Sequence, residues 1–160
     1  MRIRKLLPSP TVFGLSLVLG STAFAAGHIS DEAAKAMKAR QSHMTLYSFN
    51  LGTLGGMAQD KIPYDAAAAA TAAANLAALA NITQVGYWVE GSDSSVEGSR
   101  AMPEIWANMA DFEAKEQALA TAATALAAVA GDGPDALKAA FGPVGGACGD
   151  CHKAFRVPNN

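Results

Sequence analysis

Cysteine is scarce in this chain, with two among its 160 residues, so whatever role they share leaves no thiol for a second one. Strand-like alternation of useful length is missing beyond the first 25 residues, which argues against sheet folds and βαβ units. Apolar runs long enough to span a bilayer are missing too, since the run Thr11 to Gly20 is too short for a membrane helix. No activated nucleophile, pair of catalytic carboxylates or nucleotide-binding motif is found, so the chain does not read as an enzyme. Basic residues are few: setting aside Arg2, Arg4 and Lys5 leaves nine of 12 against 14 acidic ones, a net charge of −5. That balance points away from nucleic acid and from anionic membranes.

What the chain does have is concentrated near its end, in Cys148-Gly149-Asp150-Cys151-His152. Cys-x-x-Cys-His is the attachment signature of a c-type haem. Each thiol adds across one porphyrin vinyl group, and the adjacent imidazole becomes an axial iron ligand. Two intervening residues set the sulfurs about one helical turn apart, near the separation of the vinyls. A disulfide would not require the histidine. A redox dithiol expects a βαβ context, and a structural zinc site needs four ligands where these residues supply three. The motif therefore predicts one haem c, covalent through Cys148 and Cys151, with His152 on the metal.

The N-terminus agrees. Arg2, Arg4 and Lys5, the apolar run, and the small-x-small site Ala23-Phe24-Ala25 form a secretory signal peptide over residues 1–25. Residues 26–160 are then one exported, periplasmic domain, because haem attachment in bacteria follows export.

Four stretches carry helical patterning. The first runs from about Asp31 to Gln59, with Ser30 as N-cap and Asp31 and Glu32 in its first turn, and Ile62-Pro63 stops it. The second, alanine-rich, runs from about Tyr64 or Asp65 to Tyr87. A Gly/Ser loop follows. The third starts at Pro103 and ends at Gly131; the fourth spans Pro134 to about Val157-Pro158, with a kink at Gly142-Pro143. Apolar seams recur in steps of four and three: Ala33, Met37, Arg40, Met44, Tyr47, Leu51 and Leu54; Ile105, Met109, Phe112, Leu119 and Leu126; Leu137, Phe141, Val144, Cys148, Cys151 and Phe155. That period with short connections predicts an all-α fold, an antiparallel four-helix bundle with covalently bound haem.

Arg40 is out of place on its seam. A buried guanidinium wants an anion, and either a haem propionate pairs with it or it reaches water along the bundle edge. Trp88 and Trp106 belong in or near the core, where either indole N–H could meet a propionate. His43 points about 100° around the helix from Met44 and reads as a surface or interface residue.

With these segments in place, the chain resembles the cytochromes c′, the class II c-type cytochromes, over essentially its whole mature length. The segments carrying the likeness are Phe141-Gly142-Pro143-Val144-Gly145-Gly146-Ala147-Cys148-Gly149-Asp150-Cys151-His152-Lys153-Ala154-Phe155-Arg156, Arg40-Gln41-Ser42-His43-Met44 and Met102-Pro103-Glu104-Ile105-Trp106. A C-terminal haem motif is itself discriminating, since class I cytochromes carry theirs near the N-terminus. The resemblance implies thioether bonds at Cys148 and Cys151 and His152 as the sole protein ligand. It further implies Arg40 and Gln41 against the haem and its propionates, Met44 over the sixth coordination site without bonding, and Arg156 on the proximal face. Arg100 and Ala101 would line the haem edge.

Two functions fit those roles. One is a five-coordinate haem iron, redox-active, binding nitric oxide or carbon monoxide at a site gated by Met44, with no distal hydrogen-bond donor. The other is a six-coordinate electron carrier in which Met44 also bonds to iron, as in the b-type four-helix-bundle cytochromes. The redox partner protein is not legible. The resemblance also implies a homodimer through the first two helices, for which the outer face of Ala66 to Ala74 permits close approach.

Overall fold

The structure, a computed structural model, describes residues 29–158; the expected signal peptide, residues 1–25, lies outside them. Five helices follow one another: α1 (Asp31–Ala58), α2 (Ala66–Ala80), the short α3 (Glu104–Ala107), α4 (Met109–Val129) and α5 (Pro134–Phe155). The long ones form a closed ring in which α1 and α4 each pack on both α2 and α5. This is the antiparallel four-helix bundle that the periodicity predicts. No β-strand forms among the described residues; one isolated antiparallel bridge joins Ala101 to Arg156.

The helix starts follow local chemistry. Ser30 Oγ accepts the Ala33 N–H at 3.1 Å, and Asp65 Oδ1 accepts that of Ala68 at 2.8 Å, each satisfying an orphan donor of a first turn. Pro134 opens α5 after Gly133, whose φ of +134° suits glycine. The Tyr64 hydroxyl donates to Ala130 O and accepts from Gly133 N–H, both at 2.9 Å. It thereby fastens the start of α2 to the α4–α5 turn.

Two boundaries differ from expectation. The second helix ends at Ala80, not near Tyr87. Asn81 caps it, its amide donating to Ala77 O at 2.8 Å, and the β-branched pair Ile82-Thr83 follows. The third is broken at Asn108 (φ −134°, ψ 48°), which separates α3 from α4. Pro143 lies inside α5, which runs through it unbroken.

The α1 seam keeps Ala33, Arg40, Tyr47 and Leu54, but its other row is displaced. Its buried residues are Ala33, Ala36, Arg40, His43, Tyr47, Asn50, Leu54 and Met57, with Gly55. The row read from the sequence as Met37, Met44 and Leu51 is half-buried or exposed instead. His43 is therefore not a surface residue but 4% exposed. Its ring meets Tyr47 and Tyr87 edge-on at 4.6 and 6.0 Å. The physical reason is that residues beyond Ala80 fold back over this flank of α1, and burial of the ring lowers the His43 pKa while a hydrogen bond to the Leu79 backbone opposes the shift.

The core has two parts. The larger joins all four long helices around Leu54, Leu76, Leu126, Leu137 and Val144. A smaller one gathers Ala101, Ile105, Phe112 and Phe155 under Trp88 and Trp106. Phe112 meets Trp88 and Phe155 edge-to-face, centroids 4.5 and 5.4 Å apart, contacts worth about 0.5–1.5 kcal/mol each beyond burial.

Candidate cofactor site

A cavity of about 690 Å³ lies at the junction of the two cores. Helix α5 lines it with Ala147, Cys148, Cys151, His152 and Phe155, followed by Arg156 just past its end, and α1 with Arg40, Gln41, Met44, Tyr47, Ser48 and Leu51. All nine site residues expected from the sequence line this one space, Arg100 and Ala101 included. Neither cysteine is in a disulfide. Cys148 packs on the larger core and Cys151 on the smaller, so a group joined to both sulfurs spans them. Among the described residues no cluster of three or more His, Cys, Asp or Glu gathers as for a metal ion alone.

Burial sets the state of these groups. It raises the Cys148 pKa, and together with the nearby Glu116 it pushes Cys151 up to about 11, so both are neutral thiols. The His152 pKa is lowered, chiefly by burial and then by Arg156 and Arg100, which favours the neutral imidazole that ligates iron. An apolar slot with two thiols, an adjacent neutral imidazole and arginines at its mouth fits a haem.

The rim is made by pairing the chain after α5 with the loop before α3. Met102 N–H donates to Phe155 O at 2.9 Å and Val157 N–H to Arg100 O at 3.0 Å. This places Arg100 and Ala101 beside Arg156, although 55 residues or more separate them from it in sequence. The Arg100 guanidinium donates to Val157 O.

Arg40 is 4% exposed and held by neutral oxygens. It donates to Tyr87 O at 3.2 Å, Ser92 Oγ at 2.7 Å, Ser99 Oγ at 3.1 Å and to Ser92 O, and lies 5.1 Å above the Trp88 ring. It does not reach water along the bundle edge. Gln41 donates to Gly98 O at 2.9 Å. Together they pin the loop 87–99 to α1 and make it a wall of the cavity. The Trp106 N–H is already used, donating to Trp88 O at 2.9 Å.

Two lining residues escape the sequence reading. Tyr47 brings a hydroxyl into the cavity wall, and burial raises its pKa so that it stays neutral. Glu116, on α4, is half-buried with its pKa raised to about 7 by burial and by Glu113, against the opposing Trp88 N–H. Its signal was present: Glu116 stands between Phe112 and Leu119 on the α4 seam, as Arg40 does on that of α1.

A protein-family model described as cytochrome c′ matches residues 35–156. Cytochrome c-554 of Cereibacter sphaeroides is 40% identical over 121 residues, 75% of this chain and 79% of that protein. Among solved structures, cytochrome c′ from Rhodobacter Spheriodes aligns with a TM-score of 0.77 at 37% identity, over 79% of this chain and 98% of that one. A nitric oxide complex of a mutant cytochrome c prime from Alcaligenes xylosoxidans aligns at TM-score 0.70 and 34% identity, over 81% and 99%. A cytochrome c′ described as having ligand-controlled dimer dissociation aligns at 0.71 and 31%, over 82% and 100%.

Proposed function

The chain belongs to the cytochrome c′ family, and on that footing we propose that it binds nitric oxide and carbon monoxide at a five-coordinate haem iron gated by Met44. It is a monohaem c-type cytochrome, with haem c held covalently by its two cysteines, Cys148 and Cys151. When bound, the haem supplies an iron that exchanges one electron and can accept a diatomic gas. His152 is the protein ligand. Arg100 and Arg156 at the rim neutralise the propionates, and Gln41 and Arg40 hold the wall beside them. Met44 crowds the distal side. The observation that carries the reading is that Met44 on α1 and His152 on α5 line one cavity with both thiols.

The test is the visible spectrum with one substitution. The oxidised and reduced holoprotein should be high-spin at neutral pH. Met44→Ala should leave the ferrous spin state unchanged and speed carbon monoxide binding, because bulk goes and no ligand is lost. A low-spin spectrum that Met44→Ala turns high-spin would make Met44 a ligand and the protein a six-coordinate electron carrier.

The protein acts in the periplasm, delivered by residues 1–25, and among its described residues no helix is long and apolar enough to cross a membrane. It pairs as a homodimer through α1 and α2. Two observations support that surface: Leu46 and Phe49 on α1 are 50% and 75% exposed, and Ala66, Ala67, Thr71, Ala74 and Ala78 give α2 a small-residue outer face.

A further inference from the structure

A second cavity, about 460 Å³, adjoins the first, and the two share Ala80, Gln84, Trp88 and Glu116 as lining. Its remaining wall includes Asn81, Thr83, Glu113 and Gln117, a polar route inward from the end of α2 and the outer side of α4. Two buried polar atoms at the junction, Gln84 Oε1 and Trp88 Nε1, meet no partner at hydrogen-bonding geometry. The Trp88 N–H nonetheless lies near enough to Glu116 to favour its ionised form. The junction thus offers the polar partners that a bridging water needs. Among the described residues no cation lies at ion-pair distance from Glu116; its neighbour Lys115 is drawn to Asp111 at 3.9 Å.

We propose that Glu116 is the redox-linked proton site of this protein, taking up one proton from solvent through the Gln84–Trp88 junction as the haem takes up one electron. The inference rests on the haem reading above. The electron comes from a one-electron donor and the proton from water. An O–H bond of a hydronium ion breaks, leaving water, as the O–H of the carboxylic acid forms, and the added charges cancel. The oxidised iron carries one more positive charge than the reduced iron and favours the carboxylate; reduction removes it and favours the acid. Binding linkage is reciprocal, so protonation of Glu116 makes reduction easier.

The other charged groups around Glu116 do not share this role. From α1, Arg40 stays charged and Tyr47 stays neutral. On α5, Cys148 and Cys151 become thioethers and His152 is on the iron; Arg156, just past its end, and Arg100, on the loop, are guanidinium cations. Helix α2 has no titratable side chain. On α4 itself, Asp111 pairs with Lys115, and Glu113, exposed, acts as the repelling neighbour; Glu104 of α3 is exposed and lines neither cavity. Burial and Glu113 bring the Glu116 titration to about 7, inside the working range of a periplasm.

The experiment is potentiometry of the holoprotein between pH 5 and 9, for wild type, Glu116→Gln and Glu113→Gln. The wild-type midpoint should fall as pH rises, by up to about 59 mV per tenfold change in proton activity. Glu116→Gln should remove that slope, and Glu113→Gln should move its window to lower pH. A flat wild-type potential, or a slope that survives Glu116→Gln, overturns the proposal; survival assigns the proton to the propionates. Should Glu116→Gln fail to load haem, two readouts decide. An unmoved window in Glu113→Gln overturns it. So does a reduced-minus-oxidised infrared spectrum without a new deuterium-sensitive carboxylic acid band. Protein without haem bands overturns the haem reading as well; haem bands with a flat potential overturn this inference alone.

Discussion

At Arg40 a full charge is buried among carbonyl and hydroxyl oxygens, and every partner comes from the loop 87–99. Arg40→Met should lose more than one charged hydrogen bond, each worth about 1.5–3 kcal/mol, lowering the denaturation midpoint and opening that loop to proteolysis. Arg40→Lys, a single point donor, should recover part of the stability only. The oddity of Arg40 was legible because a charge interrupts an apolar seam. Its partners were not, since they lie some 50 residues away in a Gly/Ser loop without a pattern. Glu116 is the mirror case, a charge between Phe112 and Leu119 on the α4 seam whose place beside the cavity the sequence does not show. A carboxyl whose pKa rises from 4.5 to about 7 on folding favours the folded state fully below pH 4.5 and loses that contribution as pH rises through 7. Holoprotein denaturation from pH 4.5 to 8 should show the wild type falling relative to Glu116→Gln over that window.

Among the elements, the period of each helix was readable and its exact row was not. His43 and Asn50 are polar, so hydropathy assigned the α1 seam to Met44 and Leu51, which line the cavity instead. The end of α2 at Ala80 was harder to read, because Asn81 caps it where apolar Ile82, Val85 and Tyr87 still follow at helix-like intervals. Glycines separate two roles. A Cβ at Gly55 would lie 3.1 Å from Phe141 Cζ, where α1 and α5 meet, while one at Gly145 would meet nothing within 4 Å. Gly145→Ala should raise stability by about 0.5–1 kcal/mol. Gly55→Ala should forfeit that gain to crowding of the Phe141 ring, and thermal denaturation of the two variants should order them accordingly.

For the molecule as a whole, the bundle and the cofactor motif were legible together, because a seam period near 3.5 and a Cys-x-x-Cys-His on that seam both survive without knowledge of neighbours. The rim was not: Ala101 and Arg156 come together through backbone pairing that no side-chain pattern encodes. The assembly proposal is tested at this scale. Phe49→Glu places a charge in the outer face of α1 and should shift sedimentation at micromolar concentration from two haem-bearing chains to one. Wild type that sediments only as one chain would remove the dimer. The composition of α5 carries a last consequence. Glycines at 142, 145, 146 and 149 and Pro143 sit within its 22 residues, each glycine costing about 0.8–1 kcal/mol and the proline about 3 relative to alanine. Alone, this stretch is a poor helix, so its order depends on packing against α1 and α4. The helix that carries both thiols is thus the one whose shape is lent by its neighbours rather than by its own residues.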